Sequence, residues 1–190
     1  MNMLRNLLAV GALALFSTAG QASTVVLQNH STNLSIGDEF VVDVILQNPF
    51  EGEFQSDLLL AFGLNLNYDN TAFALTSKSV GGLWDDDTPF LDVDLAGSAF
   101  PAIADDGSNP SILLGQLSFT ALSAGMFTLG VTGDPAESFN LGLIYLGGES
   151  NLFAETLVDV TPTAPVPIPA AGWLLATGLL GLSRLRRARA

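Results

Sequence analysis

The chain has no cysteine and one histidine among its 190 residues. Without cysteine it can form neither disulfide bonds nor thiolate metal sites, so zinc sites built on sulfur and thiol catalysis are excluded. Because His30 is the sole histidine, a metal centre would have no second imidazole, and a Ser-His-Asp triad would have to use His30 itself. We expect His30 to be an exposed residue at the end of a strand and not a catalytic one.

Basic residues are almost missing from the middle of the chain. All nineteen acidic residues lie between Ser23 and Thr163, where Lys78 is the only Lys or Arg, which leaves a formal charge of −18 on that segment. A field of this sign repels nucleic acids and anionic lipids and favours cations, which excludes a DNA- or RNA-binding role. Pairs of carboxylates suited to a glycoside hydrolase would arise by chance among so many acids. We therefore predict a protein that is not an enzyme, with a small glycoside hydrolase as an alternative.

The first 22 residues have the three parts of a secretory signal peptide. Arg5 gives a positive start, residues 7–16 form an apolar stretch, and residues 20–22 form a small-x-small cleavage site. This order predicts a signal helix over residues 1–22 that is removed between Ala22 and Ser23. A first transmembrane helix is the alternative.

The other end of the chain has a short apolar run followed by arginines. Thirteen residues from Ala170 to Leu182 are free of charge, about 20 Å as a helix against a hydrocarbon core of roughly 30 Å. We predict a short transmembrane helix and basic tail over residues 170–190, after a Pro-rich linker over residues 161–169. A helix buried in the globular domain is the alternative. The positive charges that would stop translocation are Arg184, Arg186, Arg187 and Arg189.

The linker ends in a motif that makes this pattern specific. Its residues are Val166, Pro167, Ile168, Pro169 and Ala170. Together with the signal peptide, the apolar run and the arginines, they resemble the bacterial PEP-CTERM sorting class in its VPLPA-like variant, although Ile168 stands where the commonest motif has Glu. The resemblance implies export through the inner membrane, transient anchoring by the tail, and processing by an exosortase-type enzyme. It also implies a final place at the cell surface or outside the cell, as a structural or adhesive protein of the exopolysaccharide or biofilm matrix.

Residues 23–160 carry period-two patterns typical of β-strands. Apolar residues occupy every second position, which predicts one buried face per strand and an all-β antiparallel sandwich. Residues 78–109 lack a clear period, and we predict a long loop there with one or two short strands around residues 90–95. The predicted inward positions are Phe40, Val42, Val44 and Leu46; Phe62, Leu64, Leu66 and Tyr68; Leu113, Leu117, Phe119 and Ala121; and Phe127, Leu129 and Val131.

Three of these segments also resemble the cohesin-like sandwich in order and spacing. They are residues 36–44, which contain Gly-Asp-Glu-Phe, residues 62–69, which end in Tyr-Asp, and residues 114–121 before the turn at Ala124 and Gly125. The resemblance implies a jelly-roll sandwich that serves as a binding or scaffold module. The alternative to a matrix protein is thus a calcium-assisted carbohydrate- or protein-binding module of cohesin type.

One acidic segment has the composition of a metal site. Five carboxylates within ten residues suit calcium, which accepts six to eight oxygen ligands in tolerant geometry. The spacing does not match an EF-hand loop, and a solvated acidic loop is the alternative. The candidate ligands are Asp85, Asp86, Asp87, Asp92 and Asp94.

Overall fold

The computed structural model of the chain describes residues 23–51, 58–105, 107 and 110–163. The predicted signal peptide with Ala22, the sorting motif and the basic tail lie outside these residues, and so does most of the linker. Within the described ranges, no helix has the length and hydropathy needed to cross a membrane.

Twelve strands and one short 3-10 helix, Thr88–Phe90, make up the described part of the chain. The strands are β1 (Thr24–Asn29), β2 (Leu34–Ser35), β3 (Glu39–Gln47), β4 (Leu58–Tyr68), β5 (Phe73–Val80), β6 (Asp85–Asp86), β7 (Leu95–Ala104), β8 (Ser111–Ala121), β9 (Gly125–Gly133), β10 (Gly142–Tyr145), β11 (Gly148–Ser150) and β12 (Leu152–Thr161). Strands β3 and β12 alternate buried and more exposed side chains along their length, as half-buried sheets require.

The strands form two sheets. The first has the order β1-β3-β8-β5, and the second has the order β11-β10-β4-β9-β12-β2. Strand β7 also pairs with β4, and β6 pairs with β7, which extends the second sheet on one side. Only the pair β2 and β12 is parallel in the described ranges. The all-β antiparallel sandwich predicted from the sequence is confirmed.

The core lies between the two sheets and is built from the alternating residues of their inner faces. Phe40, Val42, Val44 and Leu46 of β3 are all at most 2% exposed, as their period predicts. The Phe40 ring stacks on Phe119 of β8 at 5.5 Å between centroids. The described members of the core run from residue 25 to residue 160.

Strand β8 departs from the predicted alternation. Val44 pairs with Gly115 and Ile45 pairs with Leu113, so Leu114 is an extra residue in a β-bulge. One inserted residue reverses which positions face inward. Leu114 is therefore buried while Leu113 is only half-buried, and the prediction that Leu113 faces the core is wrong. Gly115 lets the strands approach at the bulge, because a Cβ there would lie 2.7 Å from the Ser79 carbonyl oxygen.

The segment predicted as a long loop is mostly regular. Strand β5 continues to Val80 and β7 occupies ten residues from Leu95. The short strands expected around residues 90–95 are absent, since Phe90 ends the 3-10 helix and β7 begins only at Leu95. Strand β7 was not predicted because alanine, glycine and apolar side chains occur on both of its faces. A period of two can be recognised only where polar and apolar residues alternate.

Candidate functional site

The charged side chains of the described residues all lie at the surface. The buried Tyr145 uses its hydroxyl to donate a hydrogen bond to the carbonyl of Pro49 at 2.6 Å. A shallow cavity of about 230 Å³ at one end of the sandwich has Glu51 and Asp105 as the ionisable residues of its described lining. Two exposed carboxylates without a neighbouring base or nucleophile in that lining do not form a catalytic set.

His30 lies one residue past β1, at the exposed strand end predicted from the sequence. Its Nε2 is 2.7 Å from Oδ2 of Asp43, and its side chain is 49% exposed. The other oxygen of Asp43 accepts a hydrogen bond from Nε2 of Gln116 at 2.9 Å. The three side chains form a small polar network on the outer side of the first sheet, where the carboxylate contacts one imidazole and one amide.

The first three predicted calcium ligands lie around β6. Asp85 and Asp86 form β6 itself and pair with Ser98 and Gly97 of β7. Oδ1 of Asp86 accepts a hydrogen bond from the backbone N–H of Thr88 at 3.0 Å, which supports the start of the 3-10 helix. Asp87 donates its backbone N–H to the carbonyl of Ala96.

The other two predicted ligands have different surroundings. Oδ2 of Asp94 accepts the backbone N–H of Leu66 at 2.8 Å, and its own N–H donates to Oδ1 of Asn65. Asp94 therefore ties the loop before β7 to β4, while Asp92 is exposed. Across the described ranges, no three His, Asp or Glu residues are gathered closely enough to hold a metal ion. The calcium site stays a prediction, which a calcium titration of the chain would test.

The outer side of the second sheet presents a surface five strands wide. Its central row follows from the strand register: Asp85 of β6 pairs with Ser98, Ser98 with Ala61, Ala61 with Ile144, and Ile144 with Glu149 of β11. Uncharged side chains fill the middle of this row, two of them small, and one carboxylate stands at each end. The middle of the row therefore carries no charge.

A second row beside it is apolar. Leu60 is the extra residue of a bulge in β4 relative to β10, and residues 99–102 of β7 stand opposite it. Phe100 of β7 is 95% exposed and Leu146, directly after β10, is 67% exposed. Each directly follows a buried residue, Ala99 at 8% and Tyr145 at 4% exposed, so both side chains point away from the core. We define the β7–β10 face as Leu60, Ala61, Ser98, Phe100, Ile144 and Leu146, with Asp85 and Glu149 at its edges.

The loop of residues 134–141 bounds this face on one side. A Cβ on Gly63, whose outward side faces the loop, would overlap the carbonyl oxygen of Asn140. Gly142 has a positive φ of 94°, and Pro135 packs against it. The loop thus crosses the sheet where glycine leaves space for it and divides the outer side of the second sheet into two halves.

Sequence reasoning did not single out any residue of the β7–β10 face except Asp85. Phe100 stands in an Ala-Phe-Pro run that carries no motif. Its exposure depends on the strand pairing and on the bulge at Leu60, which are tertiary features. The sequence signal that was available is only the presence of a large aromatic residue next to proline.

The described fold resembles solved cohesin modules. A cohesin module of a family 33 glycoside hydrolase from Clostridium perfringens is 9% identical to this chain, with a TM-score of 0.52. The alignment covers 74% of this chain and 97% of that module. A non-cellulosomal cohesin from the archaeon Archaeoglobus fulgidus is 13% identical, with a TM-score of 0.48. That alignment covers 73% of this chain and 91% of the cohesin. No protein-family model and no curated protein matches the chain. The likeness is therefore one of fold.

Proposed function

We propose that residues 23–163 form a protein-binding module of the cohesin type, which docks its partner on the β7–β10 face. The observation that carries this proposal is Phe100, a large aromatic side chain of β7 that is 95% exposed. Exposed apolar patches on soluble domains mark interaction sites, because leaving them in water is unfavourable. The cohesin-like fold supports the proposal, since the sequence resemblance to that sandwich also implies a binding or scaffold module.

The face has the composition expected of a protein interface. An aromatic anchor surrounded by aliphatic side chains can contribute about 1.5–3 kcal/mol when a partner buries it. The aliphatic side chains of this face are those of Leu60, Ile144 and Leu146. Asp85 and Glu149 are separated by four strand spacings, about 19 Å. They favour a partner with basic residues at both margins of its contact surface.

The partner itself can be found with the full-length chain. Proteins from the cell envelope that the chain retains would be identified, and the affinity of the strongest one measured. We expect Phe100→Ala to weaken binding about tenfold or more, as loss of a central anchor does. Phe90→Ala is the matched control, because Phe90 is 83% exposed but lies on the 3-10 helix. Equal affinity of the two variants, or retention of a polysaccharide and no protein, would contradict the proposal.

We propose further that the module is exported, held at the inner membrane by residues 170–190, and passed to the cell surface by an exosortase-type enzyme to work in the exopolysaccharide matrix. The support is the order of signal peptide, sorting motif, apolar run and arginines in the sequence. A surface location would also suit a domain with this many carboxylates, since it stays soluble and does not adhere to anionic lipid.

The arginines test the sorting proposal. Replacing Arg184, Arg186, Arg187 and Arg189 by glutamine should weaken retention in the membrane fraction, by about 1 kcal/mol for each basic residue removed from an anionic surface. Cell fractionation measures the change. A matched fourfold replacement of acidic residues in the module should leave the distribution unchanged. Unaltered retention of the arginine variant would remove the support for a charged stop.

A further inference from the structure

The other half of the second sheet also presents an outer surface that no described element covers. Strand β12 pairs with β9 along its length, so that Phe153 stands opposite Thr132, Leu157 opposite Thr128, and Asp159 opposite Met126. We define the β12 face as Phe153, Glu155, Leu157 and Asp159 with their β9 neighbours Met126, Thr128 and Thr132. The loop of residues 134–141 separates it from the β7–β10 face.

Strand β12 shows an alternation of two kinds. Its inward residues Leu152, Ala154, Val158 and Val160 are buried in the core. Its outward residues alternate between apolar and acidic: Phe153, Glu155, Leu157 and Asp159. Same-face neighbours on a strand are about 6.8 Å apart, so the outward column extends over about 20 Å. An ordinary solvent face would be polar throughout, whereas here every second outward side chain is a large hydrophobe.

The apolar members of the column are freely accessible. Phe153 is 62% exposed and Leu157 is 65% exposed, and Met126 beside the column is 66% exposed. They belong to two adjacent strands and form one surface.

The centre of this surface is low. Gly130 stands opposite Glu155, and a Cβ on Gly130 would lie 3.2 Å from Cγ of Glu155. The stem of Glu155 therefore rests against the backbone of β9 and leaves no ridge between the apolar side chains. An extended chain could lie along the column and contact all four side chains.

Charge identifies the occupant. The ion pair found among the described residues is between His30 and Asp43, so within that part of the chain Glu155 and Asp159 have no cationic partner. A second copy would set carboxylates against carboxylates, with a formal charge of −18 on each segment. Anionic polymers would be repelled for the same reason. The occupant must carry positive charge and apolar groups in alternation.

We propose that the β12 face docks an extended protein segment in which Lys or Arg alternates with apolar residues at two-residue spacing. The apolar residues would bury Phe153 and Leu157, and the basic residues would pair with Glu155 and Asp159. This surface is independent of the β7–β10 face, so the module would hold two partners at once. An extended segment and strand β12 both present every second side chain on one face, so their side chains match in spacing without any change in the fold.

The test uses two labelled peptides with the full-length chain. The probe is Leu-Thr-Lys-Thr-Leu-Thr-Lys-Thr, and its acidic counterpart has Glu in place of Lys. Fluorescence anisotropy should show binding of the basic peptide and not of the acidic one. We expect the pair Glu155→Gln with Asp159→Asn to weaken binding about fivefold, from two exposed ion pairs. Phe153→Ala with Leu157→Ala should weaken it about tenfold or more.

Matched controls separate this surface from general charge and from the other face. Glu39→Gln with Asp92→Asn removes the same charge elsewhere, and Ile36→Ala with Leu122→Ala removes exposed aliphatic side chains elsewhere; both pairs should bind the peptide normally. Phe100→Ala should also bind it normally, so a failure of the β7–β10 proposal would be distinguishable. Equal weakening by the control pairs, equal binding of both peptides, or loss of binding in Phe100→Ala would overturn the proposal.

Discussion

Single side chains fix the turns of this sandwich, and Asp69 is the clearest case. Its Oδ1 accepts hydrogen bonds from the hydroxyl of Thr71 at 2.6 Å and from the backbone N–H of Thr71 at 2.8 Å. These two bonds, the hydroxyl first, hold the pKa of Asp69 below its ordinary value. Hydrogen bonds that favour the charged form of a carboxyl act in this direction. The turn between β4 and β5 is therefore best stabilised while Asp69 is ionised.

Thr71→Val removes the hydroxyl and nearly keeps the shape. We expect the pKa of Asp69 to rise toward its ordinary value, measured by NMR titration of its carboxyl group. A pKa that is lower in the folded state gives stability above the unfolded pKa, and this stability is lost as the pH falls through the folded pKa. The variant should therefore show less loss of stability between about pH 5 and pH 2.

Thr76→Val is the control for this substitution. Its hydroxyl also makes one hydrogen bond, to the carbonyl of Ser118, with no carboxylate involved. The Asp69 titration should be the same in this variant as in the natural chain. An unchanged Asp69 pKa in Thr71→Val would show that the backbone bonds alone set it.

At the scale of elements, the sequence predicted strands where alternation is uninterrupted and failed where a bulge or small residues break it. The inward positions of β3 were predicted correctly, because its inward set is wholly apolar whereas all of its polar residues, Glu39, Asp43 and Gln47, stand on the outward side. The bulge at Leu114 reversed the alternation in β8, and no local signal other than Gly115 marks it. Strand β7 has no polar–apolar contrast between its two faces. Cross-strand pairing decides which residues face inward at a bulge or in such a strand, and this pairing cannot be read from a local sequence pattern.

The crossing of loop 134–141 over Gly63 gives an element-scale prediction. Gly63→Ala should destabilise the chain by about 1–3 kcal/mol, because the new methyl group would overlap the Asn140 carbonyl and force the loop or β4 to shift. Urea unfolding followed by circular dichroism measures the change. Gly82→Ala is the control, since a Cβ there would have no heavy atom within 4 Å. A Gly63 variant as stable as the control would mean that the loop can move away without loss of packing.

At the scale of the whole molecule, fold and site differ in how far the sequence foretells them. The sandwich can be predicted because apolar and polar residues alternate in several strands, so many positions indicate the same fold. The β7–β10 face collects residues between positions 60 and 146 from three different strands and a turn, and apart from Ser98 these are ordinary apolar residues. Only the sheet order brings them side by side. Reasoning from composition turned instead to the aspartates around β6, whose chemistry is visible in the sequence and whose carboxylates include two that bind backbone N–H groups.

The described core runs from Val25 to Val160 and takes members from both sheets. We therefore expect the fragment of residues 23–163 to fold alone, with a far-UV circular dichroism spectrum of β-structure and a cooperative melting transition. Its formal charge of −18 should make it more stable in added salt, because screening weakens repulsion among its carboxylates. The control is the same titration near pH 4, where many carboxylates are protonated and salt should matter less. A mainly helical spectrum, or melting without a cooperative transition, would show that the sandwich depends on residues beyond the fragment.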